Sequence, residues 1–191
     1  MSKTRTFLGV AARDDVAEQA RAAIETLRCV ANKVKWVEPR NLHWTLHFLG
    51  EIDDQEVFEV CQAAERAAGS IDAFGLEARG VGAFPTNARP RTLWVGAGKG
   101  AAEMIALHTA LDTELKPLGF RGESRKFVPH LTLGRAGRGL TPAESTALTE
   151  AIEQLDDFDA GIQSVDEVLV YASRLRREGS EYHVMGRAAL C

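Results

Sequence analysis

The chain of 191 residues has little cysteine, and its three cysteines, Cys29, Cys61 and Cys191, are widely spaced with no C-x-x-C pair. That pattern excludes a disulfide framework and a zinc ribbon, and it predicts a reducing, cytoplasmic setting. Long apolar runs are missing as well. The one nearest the start, Phe7 to Ala12, is interrupted at Arg13, too short for a membrane span or a signal-peptide core. Nor is there an excess of positive charge: 23 Lys and Arg against 27 Asp and Glu give a net charge of −4, which excludes a uniformly basic, non-specific nucleic-acid binder. Glycine and proline, 17 and 6 residues, are too few for a collagenous or low-complexity chain. What is present is a globular composition, 45% hydrophobic and 26% charged, long enough for one domain or two small halves around a core that needs no staple.

The charge is unevenly spread. Arg121, Arg125, Lys126, Arg135 and Arg138 stand against the single acid Glu123, whereas Leu148 to Glu167 holds seven acids and no base. Such runs are ordinary solvated faces unless nearby chemistry uses them.

Hydrophobic periodicity gives a mixed set of elements. Arg5 to Ala11 predicts a strand, and Asp15 with Glu18 a capping box opening a helix of about 15 residues. Lys35 to Val37 reads as extended, and Asn41 to Leu49 as a strand ended by Gly50. Asp53 or Asp54 opens a second helix that Gly69 stops. Phe74 to Phe84 and Thr92 to Gly96 predict two strands around a loop holding Pro85, Asn87 and Pro90. Ala101 to Leu115 predicts a helix before Pro117, and Phe127 to Gly134 a strand. Thr141, Pro142 and Glu144 cap a helix to about Leu155. Val165 to Ala172 and Glu181 to Ala188 finish the chain as strands. Strands and helices mix without strict alternation, so the expected class is α+β with largely antiparallel strands.

One internal echo stands out. His43-Trp44-Thr45-Leu46 returns 87 positions later as His130-Leu131-Thr132-Leu133, each copy inside an expected strand. The chain therefore reads as two related halves, each supplying one copy. Side chains alternate along a strand, so His and Thr share one face while Trp44, Leu46, Leu131 and Leu133 share the other. A face with imidazole and hydroxyl together makes a poor core surface and a good cleft wall.

Two imidazoles and two hydroxyls around one space suit a phosphodiester. One neutral ring can take a proton from water while the other, as imidazolium, protonates the leaving oxygen. The threonine hydroxyls can donate to the non-bridging oxygens, where charge gathers. No metal or other cofactor is required when the ester is a strained cyclic phosphate. The His43 and His47 pair has the spacing of a metalloprotease helix, but Trp44 stands where the Glu would be, and on a regular strand the two rings lie about 13 Å apart. His47, His108 and His183 read as structural histidines. Gly96 to Gly100 lacks the full phosphate-loop pattern and reads as a strand-to-helix turn.

With these residues in place, the sequence resembles the two-histidine (2H) phosphoesterase superfamily, and within it the RNA 2′,3′-cyclic phosphodiesterases, historically called 2′-5′ RNA ligases. The resemblance rests on Arg5-Thr6-Phe7, on Asn41 to Glu51, on Leu93-Trp94-Val95-Gly96, on Phe127 to Arg135, and on Tyr171-Ala172-Ser173 followed by the charged turn Arg174 to Glu178. Trp44 departs from the aliphatic residue common there, on the face turned away from the cleft.

The resemblance implies one bilobal domain over residues 1–191, two pseudo-symmetric lobes with the site between them, and hydrolysis of a terminal 2′,3′-cyclic phosphate to a 2′-phosphomonoester. It casts His43 as the proton donor to the leaving 3′ oxygen and His130 as the acceptor from water. Run in reverse, the same pair joins a 5′-hydroxyl to a cyclic phosphate. Thr45 and Thr132 are candidate phosphate contacts, Phe7 a candidate base-stacking ring, and Arg135, Arg91, Arg125 and Lys126 candidate contacts to the RNA backbone. The expected partner is single-stranded RNA, or a tRNA half, ending in a cyclic phosphate, and the expected state is a monomer. Two other readings stay open: a 2H phosphodiesterase for small cyclic phosphates, and an RNA-end-binding module without turnover.

Overall fold

A computed structural model of the chain describes residues 3–122, 126–137, 139–176 and 179–191. The described residues form nine strands and four helices. In chain order these are β1 (Thr4–Ala11), α1 (Asp14–Arg28), β2 (Val34–Trp36), β3 (His43–Ile52), α2 (Asp54–Ala68), β4 (Phe74–Thr86), β5 (Arg89–Ala97) and α3 (Ala101–Leu115). Then come β6 (His130–Ala136), α4 (Pro142–Gln154), β7 (Asp159–Val165), β8 (Glu167–Arg176) and β9 (Gly179–Ala189). The class is α+β, and every strand pairing is antiparallel.

All nine strands belong to one sheet of order β7-β4-β5-β6-β3-β1-β8-β9, with β2 also paired to β6. The two H-x-T strands, β3 and β6, are neighbours at its centre, joined at Trp44 opposite Leu131. Outward from that bridge each side adds three strands. The halves of the sequence are not the halves of the sheet, however. The first strand and the last two flank β3 on one side, while the middle of the chain, β4 to β7, builds the other. Strands β2 and β3 run along the same edge of β6, so the segment between them, with its 3-10 turn at Pro39–Asn41, bulges out as a wall.

The alternation read from the sequence sets the layers. Trp44, Leu46, Leu131 and Leu133 are at most 4% exposed and enter the main core under the helices. Burying side chains of this size contributes roughly 1.5–3 kcal/mol each, which fixes the register of both strands because a one-residue slip would reverse their faces. Gly9 lets β1 press against this layer, since a Cβ there would meet the Trp44 carbonyl oxygen at 2.6 Å.

Helices α2 and α4 begin with the expected capping boxes, Asp53 with Glu56 and Thr141 with Glu144. The expected box at Asp15 and Glu18 does not form. Helix α1 starts two residues earlier, with Arg13 as its N-cap, whose N–H donates to Gln163 and whose side chain pairs with Asp166. Strand β3 passes through Gly50, whose φ of 79° absorbs an irregularity instead of ending the strand. The β4–β5 hairpin takes in Pro85 and Pro90, expected in its loop. Strand β7 was not expected at all. Its pattern is inverted, with Ile162 exposed and Gln163 buried, where the Gln163 amide donates to the Ala11 carbonyl.

Candidate active site

The bridge between Trp44 and Leu131 sets His43 across from Thr132 and Thr45 across from His130, all four on the sheet face away from the helices. The two imidazoles are then diagonal neighbours, with Cα atoms about 7–8 Å apart. Each is locked in the same way. His43 Nδ1 lies 2.7 Å from the Asn41 carbonyl oxygen, and His130 Nδ1 lies 2.7 Å from that of Val128. A carbonyl only accepts, so both rings carry a proton on Nδ1.

Aromatic rings brace both histidines. Tyr182 meets His43 edge-on at 5.2 Å, and Phe84 meets His130 edge-on at 5.0 Å. Beneath His43, Phe7 packs at 4.8 Å and stacks in turn on Tyr171. This enclosure has an electrostatic result. Burial pushes the His43 pKa down to about 4, against the pull of its bond to Asn41, and the nearby charges of His130 and Arg135 push the same way. His43 is neutral at pH 7 in the free protein.

The face opens as a groove of about 530 Å³ lined by His43, Thr45 and Thr132, by Phe48 and Tyr182, and by the wall residues Trp36, Val37 and Asn41. Three cations border it, Arg5, Lys35 and Arg135. Lys35 and Arg135 stand directly opposite each other on β2 and β6. Like charges in that position repel, so the pair is relieved by an anion between them. The groove therefore offers the His43 imidazole, two hydroxyls and a positive rim, with His130 the diagonal neighbour of His43 on the same sheet face, a fit to a phosphate ester.

The candidate substrate contacts fare differently. Arg135 lines the groove and also reaches Thr92 Oγ1 at 3.4 Å. Phe7, a candidate stacking ring, lines the groove but is only 2% exposed, packed beneath His43. Phe48, 52% exposed on the groove wall, presents the aromatic face instead. Arg91 lies in a separate pocket with Arg89, Pro142 and Ser145, away from the histidines. Lys126 is exposed outside the groove lining, and Arg125 lies outside the described residues.

A bulge in β3 explains the fate of His47. The register shifts between Leu8/His47 and Gly9/Thr45, which turns His47 into the core side, 5% exposed, and Phe48 into the groove. His43 and His47 thus point to opposite faces and cannot share a ligand. His47 stacks on His108, and His183 is half exposed, 3.5 Å from Glu181. The sequence did not single out Arg5, Lys35, Trp36, Phe48 or Tyr182, which reach the groove through long-range pairing of β1, β2 and β9 and through the bulge.

Comparison with known proteins agrees with this geometry. The model of the 2′-5′ RNA ligase superfamily matches residues 15–174. An RNA 2′,3′-cyclic phosphodiesterase of Thermotoga maritima is 33% identical over 181 residues, 95% of this chain and 92% of that one. One of Methanothermobacter thermautotrophicus is 32% identical over 180 residues, 94% and 95% of the two chains. Among solved structures, TT0787 of Thermus thermophilus superposes with a TM-score of 0.80 at 25% identity, covering 97% of each chain. E. coli LigT complexed with 3′-AMP superposes at 0.75 with 26% identity, covering 98% of each. With two H-x-T strands paired at the centre of one sheet and a family match over most of its length, the chain belongs to the 2′-5′ RNA ligase superfamily, the two-histidine phosphoesterases.

Proposed function

We propose that this protein hydrolyses RNA 2′,3′-cyclic phosphate ends to 2′-phosphomonoesters, with His43 and His130 as an acid-base pair and no metal in the reaction. The observation that carries this reading is the pairing of the two H-x-T strands, which sets His43 and His130 as diagonal neighbours on one sheet face, each with Nδ1 held by a backbone carbonyl, beside a groove bordered by cations. The names of the curated relatives support the same substrate.

In the reaction, water attacks phosphorus as His130 Nε2 takes its proton, the bond from phosphorus to O3′ breaks, and His43 Nε2 gives a proton to that oxygen. The products are a 3′-hydroxyl and a 2′-phosphate. A pKa of about 4 leaves His43 without that proton at pH 7 in the free protein, so the donor role requires that bound substrate raise it. The entering phosphate anion supplies the field that charges it. Thr45 and Thr132 donate to the non-bridging oxygens, and Arg135 and Lys35 offset the charge of the ester. Phe48 offers its face to the terminal base, and the chain end of the RNA leaves along the positive rim. The same pair in reverse joins a 5′-hydroxyl to the cyclic phosphate.

An oligoribonucleotide ending in a 2′,3′-cyclic phosphate tests the reading. Turnover in EDTA that leaves the phosphate on the 2′ oxygen is the expected outcome. Tight binding with no product, or faster turnover of a mononucleotide than of the oligonucleotide, would select the binding module or the small-molecule enzyme instead.

A further inference from the structure

The carbonyl that orients His130 lies in an irregular segment: Val128 accepts the Nδ1–H bond at 2.7 Å, yet residues 126–129 are neither helix nor strand. Its counterpart Asn41 is tied down twice, by its own N–H to the Glu38 carbonyl and by its side-chain amide to the Ser180 carbonyl, both at 2.8 Å. The neighbour of Val128 supplies another kind of tether. The Phe127 ring lies flat on the His108 imidazole at 4.1 Å and 10°, and His108 lies flat on His47 at 4.3 Å and 11°. His47 Nε2 donates to the His108 carbonyl oxygen at 3.2 Å and so fastens α3 to β3, four residues beyond His43. The three rings thus connect the strand of one reacting histidine, through α3, to the entry segment of the other.

The charged groups beside the stack are Asp112 and Lys116, ion-paired on α3 at 2.6 Å, and Asp112 also accepts from the Gly122 N–H at 3.3 Å. Burial lowers the pKa values of both stacked histidines, His108 to about 4, so the rings meet uncharged near neutrality. None of the three rings lines the groove.

We propose that the stack of His47, His108 and Phe127 is a positioning device that holds the Val128 carbonyl against His130 and thereby sets that ring's tautomer and aim. The inference rests on the acid-base reading of the two histidines. Aromatic stacking is suited to the task, since each stacked pair stabilises beyond the area it buries and so favours one placement of Phe127. A displacement of about 1 Å at a reacting group costs roughly 100-fold in rate, so a small slackening of Phe127 is felt at His130.

Nitrogen-resolved NMR of the histidine rings and steady-state kinetics on the cyclic-phosphate oligonucleotide, applied to His108→Ala, Phe127→Ala, His108→Phe and Phe127→Tyr, test it. The alanine variants are expected to mix the His130 tautomer and leave that of His43 unchanged, with kcat down about 10- to 100-fold and KM within about threefold. His108→Phe and Phe127→Tyr, which keep the flat contact, are expected to restore both readouts. An unchanged His130 tautomer in the alanine variants, or equal disturbance of His43 and His130, would overturn the assignment. Absence of turnover in the wild type would sink the acid-base reading alone, because the tautomer readout is taken without substrate.

Discussion

The two H-x-T strands carry the same residues in one register and lock their histidines by the same bond, yet they sit in different surroundings. His43 is enclosed by Phe7, Tyr171 and Tyr182, and its acceptor Asn41 belongs to a hydrogen-bonded turn. His130 is braced by Phe84, and its acceptor Val128 hangs on a stacked phenylalanine. The difference teaches that the motif fixes geometry while residues far along the chain fix what surrounds each ring. Burial in that aromatic surround pushes the His43 pKa down to about 4.

The largest effect that would break the comparison is loss of either ring. His43→Ala and His130→Ala are each expected to reduce kcat/KM by about 1,000-fold or more while circular dichroism shows an intact fold. Retention of turnover in one variant would mean that the copies are not partners. Thr45→Val and Thr132→Val should each cost about 10- to 100-fold, with Ser restoring most of it, as measured by kcat on the same oligonucleotide. Unequal losses would show which hydroxyl meets the oxygen where charge gathers.

Titration sharpens the contrast. The His43 ring signal in the free protein is expected to titrate near pH 4 and to move upward when a nucleoside 2′-monophosphate binds. Tyr182→Ala, which opens the enclosure, should shift it toward 6.5. The same depressed values make stability pH-dependent. Unfolded histidines take protons near pH 6.5, whereas folded His43 and His108 wait until about 4, so the unfolded state binds more protons in that window. Stability is full above pH 6.5 and falls on acidification toward pH 4, by on the order of 3 kcal/mol from the enclosed His43 and by less from the half-exposed His108, read from urea midpoints across that range. A flat profile would remove the enclosure from the explanation. Smallest is the rim: Lys35→Ala or Arg135→Ala should raise KM a few-fold and lower the salt slope of RNA binding by about one.

Much of the centre was legible in the sequence because it follows from period-two alternation. His43, Thr45, His130 and Thr132 on one face and Trp44, Leu46, Leu131 and Leu133 on the other needed no long-range information. The caps at Asp53 and Thr141 were likewise local. What could not be read depends on partners far along the chain. The start of α1 is set by Gln163 and Asp166, and β7 hides because its one buried polar residue, Gln163, serves that same contact. The bulge that exchanges His47 for Phe48 in the groove leaves no mark on the local pattern, and Lys35 and Tyr182 arrive through pairing with β6 and β8. Phe7 lines the groove yet is almost wholly buried under His43, and an aromatic in a first strand gives the same signal for a stacking ring and for a floor.

The most direct test of a shared acid-base pair is the double variant His43→Ala/His130→Ala, assayed beside each single one on the oligonucleotide with a cyclic end. Groups that act as one unit lose nearly everything at the first removal, so the expected residual rate of the double variant equals that of either single variant. Losses that multiply, or one single variant turning over at the wild-type rate, would contradict the pairing of the two rings on one phosphorus.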